Sequence, residues 1–389
     1  MIMLTLMLLA SALTCLIIAI SSGSFPGILN RTANAAGHEL SALLGKIEEV
    51  YIGEYDPEEV SAAAMRAAVD SLGDRWSFYM TPEEYASYLD SGENQFAGIG
   101  IGVAINDEAG GMEVLYTYRG SPAEAAGILT GDIIIGIDGK KLGGLSIDEM
   151  RDLLARPIGE TADIELIRVG GDVEKITVAY EMIFADPVSH EMLDGDIGYI
   201  HIANFEGGAA DGFISATEEL LQQGARAFIF DVRSNGGGRV GEMTRMLDYL
   251  LPEGEIFISS DKSGREEIIS SGPGMVDLPA IVIVNSYSFS AAEYFAATLK
   301  EYGYAEVVGE QTTGKSRLQI TEPLPGGGAL HISAGEYLTK NRVALFDVGG
   351  LAPDYPIALS DEEFIQFTTG NLEVQDDPQL QLAASLLAD

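Results

Sequence analysis

Two short runs in this chain are apolar at every position: Ala227-Phe-Ile-Phe230 and Ile281-Val-Ile-Val284. A run apolar throughout, rather than at alternate residues, predicts a strand buried on both faces. After the second run, Ala291–Leu299 has the apolar spacing and residue types of a helix. Upstream, Glu39–Ile52 and Asp56–Leu72 read as amphipathic helices, and Ser146–Leu154 as a further helix. Strands and helices alternate from 185 to 360, which predicts an α/β core. Residues 2–20 form one uncharged apolar run near the length that spans a bilayer. It is a membrane-targeting segment with two readings, a signal anchor or a cleaved signal peptide with Ala33-Asn-Ala35 as its site. The length of the run and the distance to Ala33 favour the anchor.

The pattern puts Ser290 on the turn from a buried strand into a helix. A hydroxyl there is exposed above the sheet, and the free N–H groups and positive dipole end of the helix favour an oxyanion. Ser290 with Glu293 is also a capping box, which needs no catalysis. Ser286 and Ser288 read as turn and strand-end residues. A serine needs a base to attack an amide, and none of His38, His190, His201 and His331 stands in a triad motif. Lys315 is the better base, because an amine whose charge is disfavoured by burial accepts a serine proton. It follows the turn-rich Gly309–Gly314 and opens an extended segment on which Arg317 and Gln319 share its face. A second loop, Ser234-Asn-Gly-Gly-Gly238, follows the Ala227 run and is flexible enough to aim backbone N–H groups at a ligand.

These segments resemble the carboxy-terminal processing peptidases, Ser-Lys serine proteases. The resemblance rests on Asn285-Ser-Tyr-Ser-Phe-Ser290-Ala-Ala-Glu293, on Tyr302–Glu310, on Gly314-Lys315, and on Asp231-Val-Arg-Ser-Asn-Gly-Gly-Gly238. It implies Ser290 as nucleophile, Lys315 as base at the family's spacing, and Gln319 as the accessory glutamine. It also implies an oxyanion hole from the amides of Gly237 and Ala291, with Gly236 as the neighbouring alternative to Gly237. Residues 96–180 look like a PDZ domain, on Gly98-Ile-Gly-Ile-Gly102 and the dense match Ser121–Gly139. Such a groove captures a peptide by strand addition and holds its terminal carboxylate on loop N–H groups, here those around Ile99, Gly100 and Ile101. The implied organisation is a membrane anchor or signal segment and linker at 1–38, an N-terminal helical segment at 39–95, the PDZ domain at 96–180, and a protease core with a C-terminal helical tail at 181–389. The core is expected to be crotonase/ClpP-like α/β. The helical segment is similar to one that helps subunits of the family form homodimers. Where the family has Thr-Pro-Ser-Gly-Arg, this chain departs with Leu338–Asp347.

Composition narrows the partners. With 60 acidic against 22 basic residues the net charge is −38, so nucleic acid is excluded as an expected partner. Cys15 is the sole cysteine of the 389 residues, which removes intrachain disulfides and cysteine metal sites. No metal or organic cofactor is implied. The expectation is a membrane-anchored, extracytoplasmic serine endopeptidase acting on proteins or peptides with exposed C-terminal tails. Rival classes are a non-catalytic PDZ scaffold or binding protein on the same core, which predicts loss of the serine or lysine, and a crotonase-like acyl-CoA enzyme, which fits a PDZ domain poorly.

Overall fold

The computed structural model describes residues 31–389 apart from 107, 108, 119, 275 and 389. The apolar run at 2–20 and Ala33-Asn-Ala35 as a cleavage signal therefore bear on a segment that lies mainly outside the described residues. Among the described residues, no helix is long and apolar enough to cross a membrane.

Residues 31–79 form one unit, containing α1 (Arg31–Val50) and α2 (Pro57–Asp70). The second helix starts where Asp56 caps the N–H groups of Glu58 and Glu59 and Pro57 occupies the first turn. Both helices fall where the amphipathic spacing predicts them, although α1 begins earlier than Glu39.

The second unit, from Met80 onward, opens with α3 (Pro82–Ser91). The sequence reading groups these residues with the N-terminal helices as far as 95, whereas in the structure they belong with the core. The cause is polar: Gly207 N donates to Gly92 O at 3.0 Å, Asn94 pairs with Asn204, and Glu93 pairs with Arg239.

A small β domain follows, with β1 (Gln95–Gly98), β2 (Ile101–Asn106), β3 (Gly111–Thr117), β4 (Ile133–Ile137), α4 (Ile147–Leu154), β5 (Thr161–Ile167), β6 (Val173–Ala179) and β7 (Glu181–Phe184). Its main sheet runs in the order β2-β3-β4-β5-β6, and β1 pairs with β7. Met112, Val114, Ile134, Ile164 and Leu166 are fully buried at its centre. β2 is a terminal strand of this sheet, so one of its edges is open for a further strand.

The core sheet contains β8 (Val188–Leu193), β9 (Ile197–Ile202) and β10 (Ala227–Asp231), with α5 (Ala209–Gln223) between the last two and α6 (Val240–Leu250) after them. Two strands of a separate sheet, β11 (Gly254–Asp261) and β12 (Glu266–Ser271), precede β13 (Ala280–Val284), α7 (Ala291–Glu301) and β14 (Ala305–Gly309). The chain ends with β15 (Arg317–Pro323), β16 (Ala329–Leu338), β17 (Tyr355–Pro356), α8 (Asp361–Thr368) and α9 (Pro378–Leu387). The core order is β8-β9-β10-β13-β14-β17, parallel from β9 to β17. Alternation along β10 and β13 explains their unbroken apolar runs. Phe228, Phe230, Val282 and Val284 face the layer of α5, α6 and α7, while Ile229, Ile281 and Ile283 face α9. β15 pairs with β16, which continues through β11 to β12 in a sheet separate from the core.

Candidate active site

The carboxyl end of β13 leads into Ser290, whose backbone sits at φ 60°, ψ −123°. This is an uncommon conformation for a residue with a side chain, and it breaks the chain sharply between strand and helix. Two serines in the turn are structural. Ser288 is fully buried and its Oγ donates to Val232 O at 2.7 Å, and Ser286 N contacts Glu310. Ser290 lines a cleft of about 570 Å³ together with Ala291, Lys315, Gln319 and Tyr337.

Glu293 holds the nucleophile turn and the lysine loop together. It is wholly buried one turn into α7, and its two oxygens accept from Ser290 N at 3.1 Å, Lys315 N at 2.8 Å, Gly314 N at 2.5 Å and Thr312 Oγ1 at 2.5 Å. Burial raises this carboxyl above its usual range, and these four donors act in the opposite direction. The Glu293 bond to Ser290 N is the carboxylate half of the capping box read from the sequence. Its other bonds reach the loop that carries Lys315, so the carboxylate joins two segments remote in sequence.

Lys315 stands in the cleft with its ammonium 5.8 Å from the centre of the Phe289 ring. Gln319 is on the same wall, and its Nε2 donates to Arg317 O at 2.9 Å and Ser333 Oγ at 3.1 Å. Its carbonyl oxygen is thus the atom suited to face an ammonium. Arg317 also lines the cleft, with its guanidinium 5.7 Å from the Phe346 ring of the divergent 338–347 segment.

Gly237 does not present its amide to the cleft as the resemblance implies. Its N–H donates at 2.8 Å to the side-chain Oδ1 of Asn235 two residues back, as in an Asx turn. The glycine itself is still required, since a Cβ there would stand 2.7 Å from Ser290 Cβ and 2.9 Å from Ala291 N. Gly236 and Gly238 line the cleft instead. Gly237 O accepts from Phe205 N, and in a trans peptide the next N–H points the opposite way, so the Gly238 amide is turned from Phe205. By the same geometry Ser290 O accepts from Tyr294 N, which directs the Ala291 amide out of the helix end.

Four groups in this cleft were not singled out by sequence reasoning. Tyr337 comes from β16, and its phenol donates to Lys315 O. His331 Nδ1 lies 2.8 Å from Thr321 Oγ1, and burial, followed by the nearby Lys315 charge, lowers its pKa. At the cleft mouth Arg239 pairs with Glu93 at 2.6 Å and Glu206 at 3.3 Å. Burial pushes Glu206 up to about 7 despite that arginine. A polar residue just after the Gly-Gly-Gly loop was the only sequence signal, and it applied to Arg239 alone.

In the β domain, Ile99 O accepts from Ala123 N, and Gly100 O accepts from Tyr118 N and Ser121 Oγ. With these carbonyls turned toward residues 118–123, the amides of Gly100 and Ile101 point the other way. Ile99 itself is buried. Gly100, at φ 80°, has Ser121 so close that a Cβ would come within 2.3 Å of the serine Cβ.

An α/β core with a serine on a strand-to-helix turn, joined to a β domain with an open strand edge, defines a PDZ-bearing serine hydrolase. Comparison with known proteins makes this specific. Residues 196–357 match peptidase family S41 and residues 113–168 match the PDZ domain. The carboxy-terminal processing protease CtpA of Bacillus subtilis strain 168 is 30% identical over 338 residues, 85% of this chain and 71% of that protein. The carboxyl-terminal-processing protease of Synechocystis sp. PCC 6803 is 28% identical, over 85% of this chain and 77% of that one. A solved structure from Bacteroides fragilis NCTC 9343, described as an S41 protease, shares the fold with a TM-score of 0.60 at 18% identity, over 87% of this chain and 92% of that one. The chain belongs to the carboxy-terminal processing proteases, serine-type peptidases of family S41.

Proposed function

We propose that this peptidase is an endopeptidase with a Ser-Lys-Gln apparatus that selects its substrates by their C-terminal tails. Ser290 Oγ attacks the scissile carbonyl carbon as Lys315 Nζ takes its proton, and that proton passes to the leaving amine when the C–N bond breaks. Water then attacks the resulting Ser290 ester, giving up its proton through the same lysine, and releases the carboxylate product. Gln319 orients the lysine without adding charge. The Ala291 amide and the adjacent loop amide of Gly238 receive the developing oxyanion. The observation that carries this reading is the buried Glu293 carboxylate, which binds Ser290 N and Lys315 N at once.

Recognition is assigned to the PDZ domain. The tail adds as a strand to the open edge of β2, and its carboxylate is held by amides of the 99–101 loop. Residues 2–20 tether the enzyme to the membrane with its catalytic part outside the cytoplasm. The exposed apolar side chains of α1 and α2, among them Leu43, Val50 and Met65, serve a homodimer contact.

One cleavage assay with two arms tests this. Wild-type enzyme should cut a peptide with a free C-terminus faster than its amidated twin at concentrations well below saturation, because amidation removes charge-assisted hydrogen bonds. Ser290→Ala should abolish cleavage of both. Equal rates on the two peptides would overturn tail recognition, and cleavage by Ser290→Ala at the wild-type rate would overturn the nucleophile.

A further inference from the structure

Tyr337 lines the cleft that also holds the two proposed catalytic groups. Only 4% of it is exposed, and its ring packs 5.6 Å from that of Tyr294 and 6.3 Å from that of Phe257. Its backbone N–H donates to Ser316 O at 2.9 Å and its phenol donates to Lys315 O, so β16 grips the lysine segment at two consecutive residues. Ser290 lines the same cleft.

We propose that Tyr337 is a positioning residue for peptide hydrolysis, its phenol and backbone N–H fixing the main chain of Lys315 and Ser316 in the cleft that Ser290 lines. The proposal rests on the reading of Ser290 as nucleophile and Lys315 as base. Tyr337 is not itself the base. Its burial raises the phenol well above its ordinary pKa, so it stays protonated across the working range. Nor does it relay a proton, because the carbonyl it contacts is no proton acceptor near neutral pH. During attack the Ser290 proton leaves for Lys315 Nζ, and the phenol keeps its own.

The test uses the full chain with Tyr337→Phe, which keeps the ring between Tyr294 and Phe257 and removes only the hydroxyl. Cleavage of a peptide with a free C-terminus is followed from pH 6 to 10, alongside labelling of Ser290 by a fluorophosphonate. The expected result is a kcat lowered by roughly 10- to 100-fold with KM within about twofold, since small misplacement of reacting groups costs rate rather than binding. Labelling should slow in parallel, and the midpoint of the alkaline limb of the rate profile should move. A wild-type kcat with an unmoved limb would overturn the proposal. So would a loss confined to melting temperature, or a parallel loss of kcat and affinity, either of which marks a packing role alone. Because kcat is read well below the melting temperature, reduced stability does not obscure the outcome. Failure of the wild type to be labelled at Ser290 would instead count against the catalytic reading itself.

Discussion

Glu206 is a carboxyl under two opposing influences. Arg239 lies 3.3 Å away and favours its charge, but that arginine is shared with Glu93 at 2.6 Å, and burial prevails. The result is a rise from 4.5 to about 7. Between those values the folded protein keeps a proton that the unfolded chain has lost, so stability falls as pH rises through the window. Glu206→Gln has no proton to lose there. Its melting temperature should vary less than the wild type's between pH 4.5 and 7 and should exceed the wild type's at pH 8, as read by scanning fluorimetry. A wild-type slope retained in the variant would assign the pH dependence to other groups. At this scale the sequence was only partly legible. Ser290, Lys315 and Gln319 stand in recognisable local contexts, and all three reach one cleft. Tyr337, Glu206 and His331 carry no local signal, because their positions depend on packing between segments far apart in the chain. Gly237 shows a subtler limit: among three consecutive glycines, its amide is taken up by Asn235 Oδ1, a local bond that composition does not reveal.

Among the elements, the contact that matters most is between α7 and the loop before β15. Glu293 belongs to α7, and four donors end on it, three of them from the 312–315 loop. Glu293→Ala would leave Gly314 N, Thr312 Oγ1 and Lys315 N buried or half-buried without that acceptor. At about 1–3 kcal/mol for each unsatisfied buried group, with partial relaxation, a loss of roughly 3–5 kcal/mol is expected. Denaturant titration should show it as a lowered midpoint, and peptidase activity should fall as well, because Ser290 and Lys315 are no longer held to one another. A midpoint within about 0.5 kcal/mol of the wild type would show that the carboxylate does not join these elements. The elements themselves were easier to read than their contacts. β10 and β13 are buried on both faces and so appear as unbroken apolar runs. The boundary near residue 95 was misplaced because α3 looks like its helical neighbours, whereas the bonds of Gly92, Glu93 and Asn94 tie the end of that segment to the core.

For the whole molecule, the fold and family follow from patterns spread along the chain, and the comparisons bear them out. The proposed activity depends on a single chemical relation, that Lys315 accepts the proton of Ser290. Only a neutral amine can do so, which gives the rate an alkaline dependence that a guanidinium cannot reproduce. The most direct measurement is the rate of cleavage of a free-acid peptide by wild-type enzyme and by Lys315→Arg from pH 6 to 10, with both proteins shown folded by circular dichroism. The account predicts a wild-type rate that climbs with pH and a variant at background throughout. A Lys315→Arg enzyme that cleaves at a rate near the wild type's, or a wild-type profile that is flat over the whole range, would contradict it.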